Sequence, residues 1–292
     1  MPPPALVLTG IVAVQVGAGP ADRLFSQVPP AAVTGLRLWT AALLLAVAGA
    51  RGLGREVRAI VRRRAWADAA VVVMFGLILA VMNYSIYQAF ARIPLGIAVT
   101  VEFLGPLGVA VATSRRWLDA AWVLLAAAGV ALLARGPGSH LNPAGLAFAL
   151  LAAACWAAYI LLSAATGRRF PGTSGLTIAM CVAALAVTPA GLLAGGRALL
   201  RPAVLGAGLA IGLLSSVIPY SLELEALRRT PAKVFGIWMS LEPAVAALVG
   251  LVLLSQGLRW YEWAAIGCVV VASAGAARTR SAESTMGPCQ PT

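Results

Sequence analysis

The sequence predicts an all-α membrane protein: ten transmembrane helices arranged as two inverted five-helix repeats. Three observations predict it. Apolar blocks of membrane length recur from end to end, basic residues concentrate in alternate loops, and a motif returns 137 positions later. Of the 292 residues, 61% are hydrophobic and only 11% charged. A soluble domain carries about a quarter charged residues. Blocks near twenty residues match the roughly 30 Å hydrocarbon core at about 1.5 Å per helical residue. No block has the short alternation of a membrane β-barrel.

The spans run near 4–21, 31–50, 68–90, 94–113, 118–134, 143–163, 174–195, 203–227, 233–254 and 260–277. Pro4, Pro30, Pro94, Pro143 and Pro202 stand at or just before starts, where proline is tolerated. The first block has no basic stretch ahead of it, so it reads as a retained helix rather than a cleaved signal. Glycine and alanine inside the spans suit close helix contact; Gly208 and Gly212 form one small-xxx-small pair.

The loops set the orientation. Fifteen of the 22 basic residues fall on one side: six between Arg51 and Arg64, then Arg115, Arg116, Arg168, Arg169, Arg228, Arg229, Lys233, Arg278 and Arg280. Six fall on the other: Arg23, Arg92, Arg135, Arg197, Arg201 and Arg259. Arg37 alone is left inside a span. The bias places both termini in the cytoplasm. The net charge of +12 is spread over every loop rather than gathered on one face, so it does not indicate nucleic-acid binding. The only histidine, His140, sits in a polar loop, and the four cysteines lack metal-ligand spacing. There is no phosphate-cradling loop and no zinc-protease motif. Neither an enzyme nor a cofactor is expected.

The repeat lies between "ARIPLGIAVTVEFLGPLGVAV" (91–111) and "RRTPAKVFGIWMSLEPAVAAL" (228–248). Arg92 matches Arg229, Pro94 matches Pro231, and Pro106 matches Pro243. An odd number of helices per half inverts the second half. The boundaries expected are 1–137 and 138–278 for the halves and 279–292 for a cytoplasmic tail. Inverted repeats are the architecture of alternating-access transporters, with a site near the midplane.

Two acids lie at mid-span. Glu102 is about the ninth residue of span four, and Glu242 about the tenth of span nine. A charged carboxylate at that depth costs several kcal/mol and marks a functional position. A structural carboxyl hydrogen-bonded between helices is the plainer reading. Each acid is followed closely by a proline, which frees a carbonyl of the preceding turn. Arg37 lies about seven residues into span two, roughly 10 Å deep. It either snorkels outward or pairs with Asp22, or it serves as the cation for an anionic substrate group. With Glu102 it supplies both charges a zwitterion needs. In "MNYSIYQAF", Asn83 and Tyr87 share a face, with Tyr84 beside them; in "SSVIPYSLELEAL", Ser216 and Tyr220 share a face, with Glu223 one turn on. Under the assigned topology these two clusters fall toward opposite sides, as two gates would, or serve as interfacial anchors. Trp238 shares a face with Glu242, whereas Trp156 and Tyr159 read as packing.

These motifs resemble the EamA group of the drug/metabolite transporter superfamily. They are most similar to the bacterial inner-membrane threonine and homoserine exporters. The likeness rests on "MNYSIYQAFARIPLGIAVTVEFLGPLGVAVATSRRWLDAAWVLLA", "ACWAAYILLSAATGRR" and "SSVIPYSLELEALRRTPAKVFGIWMSLEPAVAALVGLVLL". It implies ten helices in two EamA repeats and proton-linked efflux of small metabolites across the bacterial inner membrane. Its partners are a small-molecule substrate, protons as coupling ion, and membrane lipid. The alternatives are the same fold carrying a drug, nucleoside or purine, and a non-transporting membrane protein or membrane-embedded enzyme. In one place the chain departs from the family. "LLSQGL" puts Gln256 where the family usually has Glu.

Overall fold

The computed structural model describes the backbone of residues 1–48, 54, 56, 58, 62, 64–112, 117–135, 141–170, 173–230 and 232–279. His140, most of the Arg51–Arg64 loop and the tail beyond 279 lie outside the described residues, as do the side chains of Asp22, Tyr220 and Glu223.

Every expected span is helical. Spans one to three are α1 (Pro3–Leu24), α2 (Pro30–Ala48) and α3 (Trp66–Phe90). Span four is two pieces, α4 (Leu95–Glu102) and α5 (Leu104–Ala112). Spans five to seven are α6 (Trp117–Arg135), α7 (Pro143–Gly167) and α8 (Ser174–Gly195). Span eight is α9 (Pro202–Gly212), a π-helical turn (Leu213–Val217) and α10 (Ile218–Arg229). Span nine is α11 (Ala232–Met239) and α12 (Glu242–Leu254), and span ten is α13 (Trp260–Thr279). Six spans are long and apolar enough to cross a membrane, and the other four contain shorter apolar helices. Apolar side chains cover the lipid-facing sides as well as the interior; Leu193, Val252 and Leu43 are all exposed. The protein is a multi-pass membrane protein.

The interruptions sit beside the acids and follow from proline. Pro106 cannot donate to the Glu102 carbonyl four residues back, and α4 ends at Glu102. Pro243 likewise leaves the Met239 carbonyl, and α11 ends at Met239. Ends freed this way are found where a helix lines a cavity within the membrane.

The spans pack in a regular pattern. Span three lies along span six, and span eight along span one. Span four contacts span six, and span nine contacts span one. Span three also meets seven, and span eight meets two. Spans two and seven, four and nine, and five and ten pair with each other. Exchanging each span with the one five places on maps these pairs onto one another, whereas the lesser pairs two–three, four–ten and six–seven have no counterpart of like extent. Local geometry repeats as well. Arg92 donates to Gln88 four residues back, and Arg229 to Glu225 four residues back, 137 positions on.

Glycines set the closest crossings. A methyl added at Gly96 would lie 2.6 Å from Ala247 Cα, and one at Gly76 would lie 2.6 Å from the Ala179 carbonyl. A methyl at Gly105 would overlap the Ala153 carbonyl. Gly208 and Gly212, the small-xxx-small pair, seat Leu36 and Thr40 of α2. Asp68, at the start of α3, pairs with Arg169, just beyond α7, at 3.2 Å. These are two ends that the loop charges assign to the same face.

Candidate functional site

A cavity of about 430 Å³ lies between spans one, two, three, four, six, eight, nine and ten. It falls at the lower end of the roughly 300–1,000 Å³ typical of small-molecule sites. Its walls are mostly apolar, and its charged lining consists of Arg37, Glu102 and Glu242.

Arg37 gets there through its neighbours. Leu36 and Thr40 dock on Gly208 and Gly212, which sets α2 close beside the π turn of span eight. The carbonyl of Ser215 would bond the N–H of residue 219 in an α-helix, but residue 219 is proline. Arg37 Nη2 takes that place, 3.0 Å from Ser215 O, and Arg37 Nε donates to Ser216 Oγ at 3.3 Å. The guanidinium carbon also stands 5.3 Å from the centre of the Tyr87 ring, a cation–π arrangement. Arg37 therefore turns inward and does not snorkel.

That placement corrects the two-gate reading. One guanidinium touches both Tyr87, on the cavity wall, and Ser216, just behind it, so these two residues lie close together rather than guarding opposite ends. Tyr87 is buried and makes edge and tilted contacts with Phe25 (6.2 Å) and Phe90 (5.6 Å).

Glu102 closes the last turn of α4 and is half-buried on the cavity wall. It lies within electrostatic range of Arg37, yet no N···O contact within 4 Å pairs them. Glu242 opens the first turn of α12 and is 8% exposed. The half-helix N-terminus favours a negative side chain there. Its Oε1 accepts from Gln15 Nε2 at 3.2 Å. The acids thus occupy unlike positions, one at the end of a half-helix and one at the start.

Of the other expected residues, Asn83 lines the cavity while donating to the Leu79 carbonyl. Tyr84 points elsewhere and is partly exposed. Trp238 packs with Leu6, Val7, Ile11 and Ala226 rather than on the cavity. Trp156 and Tyr159, read as packing, do line it; Trp156 stands edge-on to Phe103 at 5.3 Å. Gln15 and Ser215 are lining residues that the sequence reading missed. Gln15 is the only polar side chain between Gly10 and Pro20, and Ser215 is four residues before a proline.

Gln256 has a structural task. Its Oε1 accepts from the Leu95 N–H at 2.9 Å, capping α4. An amide oxygen serves that bond as a carboxylate oxygen would. Among the described residues, no group of three or more His, Cys, Asp or Glu is placed to hold a metal.

A bundle of broken membrane helices around a largely apolar cavity that holds Arg37, Glu102 and Glu242 has the form of a membrane transporter. Residues 143–278 match the model of the EamA-like transporter family. The chain is 39% identical to the threonine/homoserine exporter RhtA of Escherichia coli K12 over 284 residues, covering 97% of this chain and 93% of that one. It is 38% identical to RhtA of Salmonella typhimurium LT2 over 95% of this chain and 92% of the relative. An uncharacterized transporter of Bacillus subtilis, YwfM, matches at 28% over 56% of this chain and 57% of its own. A crystal structure of a protein 22% identical superposes with a TM-score of 0.57, covering 97% of this chain and 99% of the other, which speaks to the fold alone. The chain belongs to the EamA-like transporter family.

Proposed function

We propose that the chain is a secondary-active exporter of threonine- or homoserine-like amino acids in a bacterial inner membrane, driven by the proton gradient. The observation that carries this is one cavity holding Arg37 on one wall and Glu102 and Glu242 on others, with Arg37 and Glu102 unpaired with each other. A zwitterion needs a cation and an anion in one cavity that do not neutralise each other. Arg37 receives the carboxylate, and Tyr87 supports it. Glu102 receives the ammonium, or a proton in its place. Competition between ammonium and proton for one carboxylate couples the two fluxes. Glu242 completes the site. The likeness to RhtA over nearly the whole chain supports the cargo class.

The span-exchange symmetry of the packing supports two inverted repeats, 1–137 and 138–278, with the cavity between them. The loop charges support cytoplasmic termini and a cytoplasmic tail, 279–292. The test is export of labelled threonine from cells with and without the protein, before and after collapse of the proton gradient. Gradient-dependent export that appears only with the protein is expected. Equal efflux with and without it overturns the proposal.

A further inference from the structure

We propose that Gln15 reads a hydroxyl on the side chain of the cargo, so that the site selects hydroxylated small amino acids over their deoxy analogues. The inference rests on the amino-acid reading above.

Gln15 lies in an otherwise apolar stretch of α1 and is 1% exposed, yet it lines the cavity. Its amide is oriented by one bond. The Glu242 carboxylate accepts, so the Nε2 group must face it, and it does so at 3.2 Å. The amide oxygen is thereby turned the other way, and Oε1 has no hydrogen-bond partner. A buried acceptor without a partner is costly, more so between lipid-embedded helices. Its place is fixed further by Gly17, two residues on. A methyl there would stand 3.1 Å from Leu214 Cβ and Ser215 Cβ, so α1 lies hard against the π turn that also holds Arg37.

An oriented, buried and unpartnered acceptor on a cavity wall selects for a donor. Arg37 takes the carboxylate and Glu102 the ammonium, which leaves the side chain as the remaining polar part of the cargo. A hydroxyl donates to Gln15 Oε1; a methyl in its place leaves the oxygen bare. Sites built to bond a substrate hydroxyl discriminate strongly against analogues that lack it. Glu242 is the positioning residue, since it decides which end of the amide faces the cavity.

The test uses the full-length protein in proteoliposomes and compares half-saturation for threonine and for 2-aminobutyrate, which is threonine without the hydroxyl. The wild type should favour threonine by roughly 5- to 150-fold, the range for one buried acceptor left unsatisfied. Gln15→Met and Gln15→Leu, apolar residues at home in such a span, should bring the ratio to within about threefold, mainly by weakening threonine. A wild type that carries both compounds equally well overturns the hydroxyl reading and leaves amino-acid transport standing. Retention of the wild-type preference in either variant overturns the hydroxyl reading in the same way. A wild type that neither binds nor moves any amino acid overturns the transport reading and this inference with it.

Discussion

Arg37 Nη2 stands 3.0 Å from the carbonyl oxygen of Ser215, four residues before Pro219, which has no N–H to offer it. Two variants that break this contact should move threonine affinity in opposite senses. Arg37→Gln removes the cation and should raise half-saturation for threonine about 10- to 100-fold, the scale of a hydrogen bond to a charged group. Pro219→Ala restores an N–H to the helix and frees the guanidinium from Ser215, so threonine should bind several-fold more tightly. Transport in proteoliposomes measures both. Unchanged half-saturation in Arg37→Gln would make the residue a structural strut.

Glu102→Gln keeps the side chain's shape and removes its charge. Because one carboxylate receives both the ammonium and the proton, export driven by a pH gradient and downhill exchange of threonine should both fall to near background. Loss of gradient-driven export with exchange retained would assign Glu102 to the proton alone. Full activity in both would make it a structural carboxyl.

Gln256→Ala removes the oxygen that caps α4 at Leu95. It should lower stability by about 1 kcal/mol, as loss of a helix cap does. Gln256→Glu retains an acceptor there and should cost less. Thermal unfolding in detergent measures the difference, and equal melting of the alanine variant and the wild type would rule the cap out as a stabilising contact.

Gly105→Ala forces a methyl into the Ala153 carbonyl and should destabilise by about 1–3 kcal/mol, as overpacking does. At Gly108 no heavy atom lies within 4 Å of the added methyl. Gly108→Ala should therefore melt with the wild type. The same detergent melts decide, and indistinguishable variants would show that the α5–α7 crossing yields freely.

Much of the fold was legible because span length and proline position are written locally. The ten spans fall within a few residues of their expected bounds, and Pro106 and Pro243 mark the two breaks. The site was legible in its charges, since an acid or arginine inside a span has few places to go. Which neutral side chains face the cavity was not. A helix in lipid is apolar on every side, so the sequence does not reveal which face turns inward, and Tyr84 and Trp238 lie off the cavity wall. Gln15 was readable as a lone polar residue in an apolar span. The role of Ser215 needed one further step: counting four residues back from Pro219.

The joint between spans four and nine has a mechanical consequence. At one end α4 and α12 are bolted together: Gly96 meets Ala247 backbone to backbone, Gln256 holds the Leu95 N–H, and Leu95, Val99 and Ala246 close the seam. Beyond the breaks the two spans part, α5 toward α7 and α13, and α11 toward α1 and α13. Leu107 and Phe235, on these two free legs, both face the cavity. The pair is a set of dividers standing open, its pivot at the α4–α12 end. On the transport reading proposed above, any change in the angle between the legs turns on this one small joint, where Gln256 holds the Leu95 N–H, Gly96 crosses Ala247 and a short apolar seam closes around them.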